Sequence, residues 1–477
     1  MHPYLQTRKL PLLMAFIYFA AVLVLLLNRF WQYEVFYYDH GYAESAAYQA
    51  SQFKNPQWDR EGRSSVFVDH FYPSLIAIFA PFYWLSDSYL TPIVILAFLY
   101  GLSVLIAWEI GHALKINKLM LYVLTFALMF FIGTQNAVIF FLKDISAATP
   151  FFLLMLLFLT KRSVKLYYLF LLISLGFKET LAVTTFALGL ATLLFFEKKW
   201  RPHALATMII SVIYSLFVTR IIIPSFMQQS FGTTGSYAFR PDLSRSIPEY
   251  LINFINNPVK RETISVSLLS FGLLPLVSPI GIILALQDFA QRFVLLHIGN
   301  PFRWGLNLHY NINLAVVLFY SSLLSVAWLQ KFRWYKKIVW IHTGAIFLII
   351  VIFHHQYHGP FGLLINPEFY RITKKMQFMD DFIRRIPHGG KIMVQNNMAV
   401  RFTHEDYYLL STVKYLDRVK PDVVAIDFRP GQNLNNFWPA TDMEVKKMFA
   451  YLENSPQYFA AYKEDKRRIY LKKNDEN

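Results

Sequence analysis

Asp39 and Glu44 lie one helical turn or so apart just beyond the first apolar run, in the stretch Tyr38-Asp39-His40-Gly41-Tyr42-Ala43-Glu44. A carboxylate at a membrane–water boundary is partly desolvated, which lifts its pKa toward useful base strength. Asp39 is therefore a candidate catalytic base and Glu44 a candidate to share its cavity; an exposed loop acid is the alternative for each. Asp69-His70 opens a short apolar segment. A histidine beside an acid serves as a metal ligand or a proton carrier, and an acid there also simply caps a helix. A divalent cation (Mg or Mn) held by Asp39, Asp69 and His70 is one reading, although these positions meet no ligand-spacing rule.

Two further dipeptides, Lys143-Asp144 and Lys178-Glu179, fall between apolar runs. Ionised groups are costly there and usually functional, with a mutually satisfied pair as the alternative. Arg292 stands in an otherwise apolar stretch, close in sequence to His297 and Arg303. An arginine fork grips phosphate through paired hydrogen bonds, while a lone arginine also snorkels to the interface. His309-Tyr310 precedes a later span, where the tyrosine offers a face on which a sugar ring can stack; a lone histidine at a helix start is often structural. The chain has no cysteine, which excludes thiol nucleophiles, disulfides and cysteine metal sites.

The elements that must position these residues are mostly membrane spans. Of 477 residues, 55% are hydrophobic and only 16% charged, against roughly 25% charged in soluble domains. Runs of about 20 apolar residues can cross a bilayer. Clear candidates are 10–28, 89–108, 119–136, 180–196, 204–224, 311–330 and 338–354, with 146–160, 166–177, 264–277 and 279–298 shorter or interrupted. The expectation is an α-helical polytopic membrane protein of about eleven transmembrane helices over 1–354, followed by a soluble α/β domain over 355–477.

The formal charge of +16 names no nucleic-acid partner, because many of the bases lie in short loops between apolar runs. Arg8-Lys9, Lys115/Lys118, Lys161/Arg162/Lys165, Lys198/Lys199/Arg201 and Lys331/Arg333/Lys336/Lys337 all fall on one side by parity, which the positive-inside rule makes cytoplasmic. The N-terminus is then cytoplasmic. The loop 29–88, with seven acids against four bases, lies outside, as does the C-terminal domain. Residues 71–85 are apolar but too short to span, and read as an interfacial helix on the outer leaflet. The outer loop 225–262 is long and rich in Gly, Ser and Thr, and reads as a lid or as disorder.

Beyond 354 the pattern is that of a soluble domain. Phe369, Ile372, Met376, Met379, Ile383 and Ile386 mark an amphipathic helix, 391–395 and 423–428 read as strands, and 458–462 with 468–471 as a hairpin. Thr441 with Glu444 forms a capping box that opens another helix.

This organisation resembles the GT-C glycosyltransferase superfamily: many spans, an acidic first outer loop with juxtamembrane helices, and an outer C-terminal domain. Within it, the chain resembles the bacterial and archaeal membrane proteins grouped as domain-of-unknown-function family 2079. The resemblance rests on Tyr38-Asp39-His40-Gly41 with Glu44, Asp69-His70-Phe71-Tyr72-Pro73, Phe177-Lys178-Glu179, Pro275 with Ser278-Pro279, His309-Tyr310, His358-Gly359-Pro360 and residues 391–397. It covers nearly the whole chain. Phe141-Leu142-Lys143 departs from the Asp-Phe-His that the family tends to show at that place.

The resemblance implies a transferase that takes a sugar from a polyprenyl-phosphate donor in the outer leaflet of the cytoplasmic membrane. It passes that sugar to a glycan, lipid or protein acceptor. It places the base at Asp39, with Glu44 as second acid, and leaves Asp69, His70, Lys143, Asp144, Lys178, Glu179, Arg292, Arg303, His309 and Tyr310 to bind substrate. Two alternatives stay open: a transporter or flippase of a lipid-linked or small polar substrate, and a non-catalytic membrane assembly partner.

Overall fold

The computed structural model describes residues 8–57, 65–231, 246–295 and 301–473. Among these, five helices are long and apolar enough to cross a membrane: Lys9–Trp31, Thr91–Ala113, Lys198–Ser230, Asn311–Leu329 and Arg333–Gln356. Two are central, with 72% of Thr91–Ala113 and 78% of Asn311–Leu329 buried inside the protein. Arg333–Gln356 is only 17% buried and lies at the rim. Its outward Trp340, Ile341, Phe347 and Leu348 form the apolar surface a bilayer requires.

The expected count of about eleven full spans is not reached, for identifiable reasons. The run 119–136 breaks into Lys118–Phe130 and Ile132–Val138, bent by 48°. Gln135 meets the carbonyl opened there, its amide donating to Phe130 (2.6 Å), while its Oε1 accepts the N–H of Phe361 from the turn Pro360–Ile365 (3.3 Å). Run 264–277 ends early because Gly272 and Leu273 both take left-handed conformations (φ 61° and 58°), leaving helix Pro258–Ser270 and a turn at Leu274–Leu276. Asp144–Thr160, Val164–Leu175 and Leu181–Phe195 are apolar but short. The segment 71–85 folds as Pro73–Phe79 continued by the tighter turn Ala80–Trp84.

The basic loops gather at one end of the bundle. Arg8 pairs with Glu109 (2.5 Å), Arg162 with Glu197 (3.1 Å), and the Gln330 side chain donates to the Lys115 carbonyl (3.3 Å). Of the residues singled out for chemistry, Asp39 and Glu44 lie where the first loop meets the C-terminal domain, while His70, Lys178, Arg292, Arg303 and Tyr310 line a cleft among the helices.

That domain is a five-stranded sheet in the order β2-β1-β3-β5-β4. The strands are β1 (Lys391–Val394), β2 (Asp406–Leu409), β3 (Val423–Asp427), β4 (Tyr458–Glu464) and β5 (Arg467–Lys472). The first three run parallel and the last two form the antiparallel hairpin. Alternation along each strand divides two cores. Met393, Val424, Ile426 and Tyr470 face helices Val413–Val419 and Asp442–Asn454 through Leu416, Met448 and Leu452. Ile392, Val394, Val423, Ala425 and Ile469 join a core that continues into Val35, Tyr37 and Tyr42 of the first loop.

The capping box forms as read, with Thr441 Oγ1 accepting from the Glu444 N–H. The amphipathic helix starts later than the pattern suggested. Thr373 caps Lys374–Arg384, and Phe369 sits in a separate turn.

Candidate functional site

Asp39 rides on a π-helical turn, Tyr37–Gly41, that leads into helix Tyr42–Ser51. Such wide turns favour functional positions because the extra residue re-aims a side chain. Gly41 permits a close approach: a Cβ there would lie 2.7 Å from Tyr37 Cδ2 and 3.2 Å from both Thr403 Cγ2 and Val400 Cγ1 of the C-terminal domain. Asp39 Oδ1 lies 3.0 Å from Lys143 Nζ, which also donates to the Tyr38 carbonyl (2.7 Å). Lys143 is delivered by a tight turn in which Phe141 adopts a left-handed conformation (φ 58°).

The two lysine–acid dipeptides do not satisfy themselves. Lys178 Nζ reaches across to both oxygens of Asp144 (3.0 and 2.8 Å). Glu179 turns the other way, pairing with His70 Nδ1 (2.7 Å) and accepting the Phe71 N–H (3.2 Å). Asp39–Lys143, Asp144–Lys178 and Glu179–His70 are thus linked through chain neighbours into a continuous charged seam. Burial pulls the Lys178 pKa down, but the Asp144 carboxylate beside it, with Tyr310 and Glu179, outweighs burial and holds it above its ordinary value. For His70, burial and Lys178 act downward, and Glu179 and Asp69 outweigh them. Asp69 is half-buried and makes no ion pair among the described residues.

A narrow cleft opens on this seam, lined by His70, Lys178, Arg292, Arg303, Tyr310 and Asp288 among others. Its free space of about 40 Å³ is that of a few ordered waters. Lys178 Nζ stands 5.8 Å and the Arg303 guanidinium 4.5 Å from the centre of the Tyr310 ring, so the tyrosine carries two cations. His309 packs between Phe140 and Tyr310 at ring separations of 5.5 and 4.1 Å. Burial, followed by Lys143, Lys178 and Arg303, holds its pKa well below the usual value, so it is neutral.

Arg292 sits on a second π-helical turn, Gln291–Leu295. Its donors go to the Arg303 and Gly305 carbonyls (3.1 and 2.7 Å) and to Asn311 Oδ1 (2.7 Å), with Asp288 at 3.9 Å. It therefore holds the Arg303 segment in place instead of offering a free fork. Lys178, whose ammonium is held by Asp144, and Arg303 line the cleft beside it.

Glu44 belongs to another wall. Its Oε1 accepts from Tyr83 (2.8 Å) and lies 2.6 Å from His404 Nε2, so its carboxylate is turned to the C-terminal domain. Among the described residues no three His, Asp or Glu side chains converge as metal ligands, and Asp39, Asp69 and His70 form no such set. His297 and residues 232–245 of the expected lid lie outside the described residues.

Asp288, Asn313, Gln291 and His404 escaped the sequence reading. Asp288 was within reach, since an acid four residues before Arg292 on a helix is a ready partner. Asn313, which donates to Asp288 (2.8 Å), is a polar break in an apolar helix. His404 carried no signal of its own.

Fold and site together define a polytopic, mainly helical membrane protein with a charged cleft among its helices and a small C-terminal α/β domain. The chain belongs to the family described as predicted membrane protein, domain of unknown function 2079, whose model matches residues 29–465. No curated protein matches it.

Proposed function

We propose that the protein is an inverting glycosyltransferase that takes a sugar from a polyprenyl-phosphate donor at the outer face of the cytoplasmic membrane. The observation that carries the reading is the pairing of an accessible carboxylate, Asp39, with a neighbouring cleft whose cations are Lys178 and Arg303. Asp39 accepts the proton of the attacking acceptor group. The bond from the anomeric carbon to the phosphate oxygen breaks, and Lys178 and Arg303 take up the charge left on the phosphate. Tyr310 forms a wall of the cleft. The order of motifs that resembles the GT-C superfamily supports the same reading, and the gathered basic loops support a cleft on the side away from the cytoplasm.

Membranes holding the protein, supplied with radiolabelled polyprenyl-phosphate sugars, test it. Asp39→Asn should lower transfer by about 10²–10⁴-fold. Undiminished transfer in that variant sinks the assignment.

The broken span at Phe131 favours a second reading, a transporter, because discontinuous helices often build transport sites. The Phe130 carbonyl at the break is, however, taken up by the Gln135 side chain and not left to a substrate. Uptake of a lipid-linked or small polar substrate into liposomes, without sugar transfer, would decide for the transporter.

A further inference from the structure

Asn396 opens the short helix Asn396–Ala399 that follows β1, and it uses one side chain twice. Its Oδ1 accepts from the Tyr38 N–H (3.3 Å), and its Nδ2 donates to the Asn435 carbonyl (2.8 Å). The loop after β3 is thereby tied to the residue preceding Asp39. Beside this tie the Trp438 indole meets the Tyr38 ring edge-on, with centroids 6.1 Å apart at 71°. Half of Trp438 (50%) nevertheless remains exposed. Tyr38 in turn gives its carbonyl to Lys143, whose ammonium reaches Asp39. Trp438, Tyr38, Lys143 and Asp39 thus form one connected row from the C-terminal domain to the base.

The place and the chemistry agree. Open α/β sheets bind ligands beyond the carboxyl ends of their parallel strands, and both Asn396 and the Trp438 loop leave from such ends. The loop carries Gln432, Asn433, Asn435 and Asn436, of which Asn433 and Asn435 are exposed and Asn436 is buried, and Asn396 holds the Asn435 carbonyl from the end of β1. A sugar ring presents an apolar C–H face and a rim of hydroxyls. A half-exposed indole matches the first, and the exposed side-chain amides of Asn433 and Asn435, each donor and acceptor, match the second. A lipid chain would instead require a continuous apolar strip, which exposed Asn433 and Asn435 interrupt.

Resting on the transferase reading above, we propose that Trp438 is the stacking platform of an acceptor subsite, and that the acceptor presents a glycan there. The test uses the full chain in nanodiscs and an array of hexose, deoxyhexose and N-acetylhexosamine oligomers. Wild type should bind at least one class. Trp438→Phe should keep that affinity within about threefold, and Trp438→Ala should lose about tenfold or more, with the thermal midpoint unchanged. No glycan binding by the wild type, or equal binding by Trp438→Ala, overturns the proposal. So does a Trp438→Ala effect seen only on partition to lipid vesicles, the behaviour of an interfacial anchor. Glycan binding through Trp438 in a protein that transfers nothing would sink the transferase reading alone. Transfer with an unchanged acceptor KM in Trp438→Ala would sink this one alone.

Discussion

Lys178 and Asp144, held on separate segments, share two hydrogen bonds of 3.0 and 2.8 Å with side chains only 4% and 1% exposed. Removing one partner leaves the other charge buried and unpaired, so Lys178→Ala should cost about 3–5 kcal/mol of stability. Replacing the pair together, Lys178→Met with Asp144→Leu, should recover most of that. If Lys178 also serves the donor phosphate, the double variant folds but transfers poorly. Thermal unfolding measured alongside transfer separates the two roles, and a stable, fully active double variant would leave Lys178 purely structural.

A second polar contact fastens the C-terminal domain to the first loop. His404 Nε2 lies 2.6 Å from Glu44 Oε1, and the His404 ring stacks on Tyr48 at 3.6 Å. The Tyr407 and Tyr37 hydroxyls (2.8 Å) and Arg401 on the Phe30 carbonyl (2.6 Å) complete the seam. Glu44→Ala should therefore loosen the domain, raising hydrogen exchange in residues 396–409 by at least tenfold, about 1.4 kcal/mol. Exchange confined to the helix around residue 44 would show that the pair does not hold the domain.

The apolar spanning character and the C-terminal α/β pattern were legible because each is local, whereas the count of about eleven spans was not reached. Strands 391–395 and 423–428 and the Thr441 cap came out nearly where they were read. Strand β2 was missed, since Asp406–Leu409 is four residues long and shows no extended alternation. The site was legible as a set of residues but not as a set of partners. Lys143-Asp144 and Lys178-Glu179 look like self-satisfied dipeptides, yet each charge finds its mate on another segment. Glu44 and His404 are 360 positions apart, and only packing the C-terminal domain on the first loop joins them.

Stability should respond to pH through two buried histidines of opposite sign. Burial, partly opposed by Glu44, lowers His40 from 6.5 to about 4. The unfolded chain then takes up the proton first as pH falls below about 6.5, so stability declines until about pH 4, by about 3 kcal/mol at most. His70, with its raised pKa, contributes stability that is complete below 6.5 and is lost as pH rises through the raised value. Unfolding in detergent across pH 4–8 checks both limbs. His40→Gln should flatten the acid limb alone, and an unchanged acid limb would count against the burial of a neutral His40.

One substitution at two glycines should act with opposite signs. In Gly41→Ala the new methyl would lie 2.7 Å from Tyr37 and 3.2 Å from Thr403 and Val400, wedging the first-loop turn away from the C-terminal domain. Overpacking of this kind costs about 1–3 kcal/mol. Because the strained turn carries Asp39, transfer should fall by more than the loss of folded protein explains. Gly344 lies on the exposed face of helix Arg333–Gln356 with nothing within 4 Å of the added methyl. There Gly344→Ala should be neutral or stabilise by up to about 1 kcal/mol through helix propensity. Comparing the thermal midpoints of the two variants tests the close approach directly: a Gly41→Ala protein as stable as wild type would mean that the first loop and the C-terminal domain are not in contact at this turn.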